Sequence, residues 1–216
     1  MTLPPGLTPD ALLEVGDPVE RAHLLARTAH QGQFDKAGVD YYTGHLRDVW
    51  ARAVDDGAGP DDQAAALLHD VVEDRGVTDE DLWLSGFSDR TLLVVHLLTK
   101  VEGQDDGAAY ARLRAYEPAR RLKLHADVAS NSDPERLALL DAPTRERLTA
   151  KYAATTRALA LPGAAGDLPT TGHTAGTTTE RRGGVLVWLA ACTCGWRGTA
   201  HADELAADTD RWAHSA

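Results

Sequence analysis

The sequence predicts an all-α core followed by a small α+β module, and three observations carry that prediction. Between Pro18 and about Ala160, apolar residues recur at helical spacing with little strand-type alternation. A Gly-, Thr- and Pro-rich stretch, LPGAAGDLPTTGHTAGTTT, then breaks all periodicity. Behind it, GGVLVWLAACTCGWRGTA reads as two short strands around a turn, and HADELAADTDRWAHS as a closing helix. The expected organisation is an irregular lead-in over 1–18, a helical domain over 19–161, a linker over 162–179 and a small module over 180–216.

Element by element, Pro and Gly punctuate residues 1–18. VERAHLLARTAHQGQ and HLRDVWARAVDD each carry apolar residues near helical spacing. Asp61 and Asp62 suit the first turn of a helix running to about Asp74. VTDEDLWLSG suggests a short helix entered at Thr78, and DRTLLVVHLLTK a strongly apolar one. AAYARLRAY, PARRLKLHADVAS, PERLALL and PTRERLTAKYAATTRALAL complete the helical set.

The 216 residues suit one ordinary domain plus an appendage. Hydrophobic residues at 43% and charged residues at 25% fit a globular protein in water. A formal net charge of −11 argues against binding a nucleic-acid backbone, which needs a basic surface. It leaves room for a small anionic substrate, because a local metal or lysine cluster can outweigh the average field. No apolar run reaches membrane-spanning length, and no membrane association is expected. No secretory leader is evident, and only two cysteines occur, so a reducing cytoplasm is the expected compartment.

The stretch AALLHDVVED places four ionisable groups in six residues at the end of an apolar helix. At helical spacing His69 stands over Glu73, and Asp70 over Asp74, forming a polar stripe nearly surrounded by apolar residues. A buried carboxylate without a partner is costly. One divalent cation would offset that cost, and His and Asp suit a mid-row ion such as Mn²⁺, Fe²⁺ or Zn²⁺. The competing reading is a surface helix with scattered acids. His45 opens a helix elsewhere, and Asp127 and Asn131 share a helical face at i, i+4. His45, His69, Asp70 and Asp127 would make a two-His, two-carboxylate set with positions left for water and substrate. Lys36, Arg120, Arg121 and Lys123 are the nearby cations available to phosphate; for the two arginines a solvated helix face is the alternative. His96 and His125 read as structural.

The segments AHQGQFDKAGVDYYTGH, ALLHDVVED and ADVASNSDP resemble the HD-domain metal-dependent phosphohydrolases. More narrowly they are similar to the RelA/SpoT-type (p)ppGpp hydrolases, including small single-domain members. The resemblance spans about Val19 to Ala160 and implies an HD-domain helical bundle. It implies that His45, His69, Asp70 and Asp127 hold Mn²⁺, and that Glu73 and Asp74 orient or deprotonate the attacking water. Asn131 would contact the nucleotide, with Lys36 and Lys123 among the substrate-binding residues. The implied reaction is hydrolysis of a 3′-phosphate or pyrophosphate ester of a small nucleotide. Three positions depart from the family pattern. Asp35-Lys36 stands for an Arg-Lys pair whose arginine stacks on guanine. Lys123 is displaced by one residue relative to Asp127, and His45-Leu46 replaces His-Pro. These leave the reaction centre intact and alter the substrate pocket. Other HD-type phosphatases, and a nucleotide-sensing or partner-binding module without turnover, are the alternatives.

In the last module, CTCGWRG sets two thiols around one residue, too close for an unstrained disulfide. Cys192 and Cys194, with His201 and His214 or His173, could hold a structural Zn²⁺. A metal-free small fold is the equal alternative.

Overall fold

A computed structural model describes residues 2–100 and 105–160, together with three strands at 175–182, 185–192 and 197–201. The chain divides into two compact units, Met1–Leu161 and Pro162–Ala216.

The first unit is helical, and it begins earlier than the sequence suggests. Within the supposed irregular lead-in, α1 (Pro9–Leu13) forms because Thr8 Oγ1 accepts the Ala11 N–H and Pro9 occupies the first turn. Leu12, fully buried, anchors it. Asp17 then caps α2 (Pro18–Ala29) by accepting the N–H groups of Val19 and Glu20. The buried Arg21 side chain donates to the carbonyls of Leu12, Val15 and Gly86, tying the N-terminal turns to the body.

A small hairpin follows that no alternation announces. Tyr41 N–H donates to Gln33 O and Asp35 N–H to Val39 O, each at 2.9 Å, and Phe34 and Asp40 form an isolated bridge. Gly38, at φ +77°, makes the turn. The chain then enters a π-helical turn, Tyr42–Leu46, before α3 (Arg47–Asp55). Gly44 is needed in that turn, because a Cβ there would lie 2.5 Å from Val39 Cγ1.

At the centre lies α4 (Pro60–Leu68), packed on α2, α3 and α7 (Asp89–Leu98). Ala64, Ala65, Ala66, Leu67 and Leu68 are all 0% exposed, the mark of a helix apolar on every side. The helix expected to run to Asp74 instead breaks at His69–Asp70 and restarts as α5 (Val71–Arg75). The cause is local. His69 Nδ1 donates back to the Ala66 carbonyl at 2.8 Å, the acceptor that a continuous helix would give to the N–H of Asp70.

Thr78 and Asp81 cap α6 (Asp79–Leu84) reciprocally. After α7 come α8 (Asp106–Ala115) and α9 (Glu117–Arg121), then a second π-helical turn, Leu122–Val128, continued by α10 (Ala129–Asn131). The unit closes with α11 (Pro134–Ala138) and α12 (Ala142–Ala160). Among the described residues no helix is long and apolar enough to cross a membrane.

The second unit holds an antiparallel sheet in the order β1 (Ala175–Arg182), β2 (Val185–Cys192), β3 (Arg197–His201). β1 and β2 pair from Ala175↔Cys192 to Arg182↔Val185. The ladder between β2 and β3 shifts register between Leu189 and Ala191. β2 and β3 fall where two strands are expected. β1 does not: its first residues, Ala175 to Thr179, come from the stretch read as linker. Three consecutive threonines lack apolar alternation but are β-branched, and pairing with β2 supplies what the pattern does not. Cys194, His214, His173 and the expected closing helix after His201 lie outside the described residues.

Candidate metal and phosphoester site

Each candidate metal ligand sits where helical regularity fails. His45 lies in the first π-helical turn and Asp127 in the second, while His69 and Asp70 form the break between α4 and α5. Extra backbone in a π-turn re-aims a side chain, which is why such turns gather at functional sites. The four side chains converge. His45 Nε2 is 3.7 Å from Asp70 Oδ2 and 3.6 Å from Asp127 Oδ1. His69 Nε2 is 3.0 Å from Asp70 Oδ2 and 3.8 Å from Asp127 Oδ1. The ligand atoms of His45, His69 and Asp70 all lie within 4.8 Å of one another.

The donor set fits a divalent ion, and His69 is the test. Its Nδ1 gives its proton to the Ala66 carbonyl, so neutral His69 presents a bare Nε2. That buried nitrogen has no hydrogen-bond partner, although a carboxylate oxygen stands 3.0 Å away. Two lone pairs at that distance repel unless a positive charge joins them. A proton can do so: burial alone pushes His69 down, but Asp70 beside it raises the pKa to about 9. A divalent cation does the same with two imidazoles and two carboxylates at once. Burial works to raise the Asp70 carboxyl, yet His69 and His45 hold it well below the usual range. Tyr41 Oη adds a hydrogen bond to Asp70 Oδ2 at 2.6 Å.

Asp127 is fixed from both sides. Lys123 Nζ meets Oδ2 and Asn131 Nδ2 donates to Oδ1, each at 2.5 Å. Burial opposes this carboxylate, and Lys123 chiefly holds its pKa down. Lys123 Nζ and Asn131 Nδ2, expected on substrate, are thus engaged with a candidate ligand carboxylate, as i, i+4 neighbours on the same backbone segment.

Tyr41, Asp70, Lys123, Asp127 and Asn131 line one cleft of about 760 Å³, which also receives Lys36, Glu73 and Asp74. Glu73 Oε2 accepts the N–H of Lys100, and Asp74 Oδ2 accepts from Gln33 Nε2 at 2.9 Å. Gln33 Oε1 in turn faces Nδ1 of His30, a fully buried ring stacked on Tyr41. Asp35 does not offer itself to substrate. Its Oδ1 accepts the N–H groups of Ala37 and Val39, and its Oδ2 binds Arg136. Arg120 and Arg121 are elsewhere, on Glu117 and Asp56, as the solvated-face reading has it. His96 and His125 stand by Asp79 and Asp56. Lys100 and Lys151 line the cleft instead.

Sequence reasoning missed Gln33, Tyr41, Ser130, Arg136 and Lys100. Gln33, Tyr41 and Ser130 lie in segments quoted for their family resemblance, so a signal existed. Arg136 sits in an ordinary amphipathic stretch, with nothing to mark it.

No family model matches the sequence. A solved structure described as a metazoan ortholog of SpoT that hydrolyzes ppGpp and plays a role in starvation responses is similar, with a TM-score of 0.56 at 19% identity. The match covers 68% of this chain and 88% of that one. The helical unit shares the fold of that protein. The all-α bundle expected from the sequence is therefore the fold observed, and it is the frame in which His45, His69, Asp70 and Asp127 meet.

Proposed function

We propose that this chain is a metal-dependent phosphohydrolase acting on a small phosphorylated nucleotide, with (p)ppGpp 3′-pyrophosphate hydrolysis as the leading reaction. The single observation carrying this reading is the convergence of two buried imidazoles with two carboxylates, Asp70 and Asp127, that line one cleft with Glu73 and Asp74. Oxygen and imidazole donors without thiolate favour Mn²⁺ over softer ions. When bound, the ion supplies Lewis acidity, making water a usable nucleophile near neutral pH and offsetting charge on phosphoryl oxygens. Glu73 and Asp74 are the carboxylates that orient or deprotonate the attacking water. Gln33 keeps Asp74 oriented for that task, with His30 fixing the amide. Lys36 and Lys151 face the cleft as cations for the phosphates, and Lys100 lines it with its Nζ on Asp106 Oδ1 at 2.9 Å. Lys123 and Asn131 serve the substrate indirectly, by holding Asp127. Two cysteines in 216 residues suit the reducing cytoplasm as the place of reaction.

A second reading, another 3′-phosphorylated nucleotide as substrate, is favoured by Asp35. The position where the family stacks an arginine on guanine carries a carboxylate committed to Arg136. A substrate panel with Mn²⁺ separates them: pyrophosphate from ppGpp supports the leading reaction, and orthophosphate from other nucleotides supports the second. Tight nucleotide binding without turnover, unchanged by Glu73→Gln, would make the chain a sensor. For the second unit the companion proposal is structural Zn²⁺ on Cys192, Cys194, His201 and His214.

A further inference from the structure

Arg136 of α11 reaches the back of a proposed metal ligand. Its Nε and Nη2 hold Asp35 Oδ2 at 3.1 and 3.0 Å. Its Nη1 stands 2.9 Å from Nδ1 of His45 and 3.3 Å from Ser130 Oγ. Ser130 Oγ is itself 3.1 Å from the same Nδ1. A guanidinium nitrogen can only donate. Facing it, Nδ1 of His45 is the lone-pair nitrogen, and in the neutral ring the proton sits on Nε2. That nitrogen points toward the Asp70 and Asp127 oxygens, where a cation needs it bare. His69 is set the opposite way, with its proton on Nδ1 against the Ala66 carbonyl. In their neutral forms the two histidines of one site are thus set in opposite tautomers. Ser130 offers the way out, because a hydroxyl accepts from Nδ1–H as readily as it donates to a bare Nδ1.

We infer that Ser130 and Arg136 compete for Nδ1 of His45, and that Arg136, clamped by Asp35, favours the tautomer that takes no cation; the inference rests on His45 being a metal ligand. On loading, the proton leaves Nε2 and one is carried on Nδ1, so the ring stays neutral. Ser130 Oγ accepts that Nδ1–H, and Arg136 gives up the ring while keeping Asp35. Both are positioning residues, and their contributions to metal affinity have opposite signs. A purely structural pair would lose affinity whichever member is cut.

The test is Mn²⁺ binding to the metal-stripped full chain by calorimetry, with thermal melts to confirm that each variant folds. Thiolates take Mn²⁺ poorly, so Cys192 and Cys194 do not interfere. Ser130→Ala is expected to weaken binding on the order of tenfold, the lower end of losses for a residue behind a metal ligand. Arg136→Met and Arg136→Gln are expected to tighten it by a few-fold, since each removes a positive charge beside the ring. Long-range ¹⁵N–¹H NMR of the imidazoles reads the tautomer without metal or activity: Nδ1 of His45 bare in the wild type, protonated in Arg136→Met. Weaker Mn²⁺ binding by both arginine variants, or a protonated Nδ1 in the neutral wild-type ring, overturns the competition. Wild-type binding no stronger than that of His45→Ala, with the tautomer as stated, overturns instead the reading of His45 as a ligand, and the inference with it.

Discussion

Glu73 and Asp74 differ in how they are held, and that difference is measurable. Glu73 accepts a backbone N–H from Lys100, a contact that Glu73→Gln can retain through its amide oxygen. The substitution keeps shape and removes basicity, so kcat on the active substrate should fall by about 10²–10⁴ with little change in fold. Steady-state kinetics beside a thermal melt checks both halves. His69 gives the pH prediction. Its folded pKa is raised to about 9 from the ordinary 6.5, burial opposing and Asp70 overriding. A raised pKa means the folded state binds the proton more tightly, so the stabilisation is complete below pH 6.5 and is lost as pH rises through about 9. Chelator-treated protein should therefore lose melting temperature across that window. His69→Gln should flatten the loss, and Mn²⁺ should offset it by replacing the proton.

At the scale of elements, the irregular turns are what aim the ligands. Gly44→Ala puts a methyl 2.5 Å from Val39 Cγ1 inside the π-helical turn that carries His45. Overpacking of this kind costs about 1–3 kcal/mol. Here it should also weaken Mn²⁺ binding, because relief comes by moving the turn; paired denaturant and calorimetric titrations read the two effects. α4 behaves differently. Leu67 is fully buried in the central helix and is not one of the proposed ligands, so Leu67→Ala should cost about 2–5 kcal/mol by cavity formation. Denaturant melts with saturating Mn²⁺ should show that loss with the ion still bound. The helices after Pro18 were largely legible, since periodicity and caps such as Thr78 mark them, while α1 was read as irregular lead-in. The break at His69 was not, because it arises from one side chain competing for one carbonyl.

Across the whole molecule, a chain of net charge −11 keeps cations where a polyphosphate would need them. Lys36, Lys100 and Lys151 come from distant stretches and share one cleft. Metal analysis of the full chain should find one Mn²⁺ lost on His69→Ala and Asp70→Ala. One Zn²⁺ should be lost only on replacing Cys192 and Cys194 with Ser. Loss of all metal with either set would mean the two proposed sites are not independent.

By itself the sequence determined the helical core, its buried centre, and the residue types able to hold a divalent ion, because periodicity and composition are local properties. Tertiary structure alone decided that residues as far apart as His45 and Asp127 meet, that β1 draws on a threonine run, and that Arg136 comes to stand behind His45. The meeting of His45 with Asp127, the β1–β2 ladder and the Arg136 contact each need a partner from elsewhere in the chain, whereas the break at His69 is set locally by the Ala66 carbonyl.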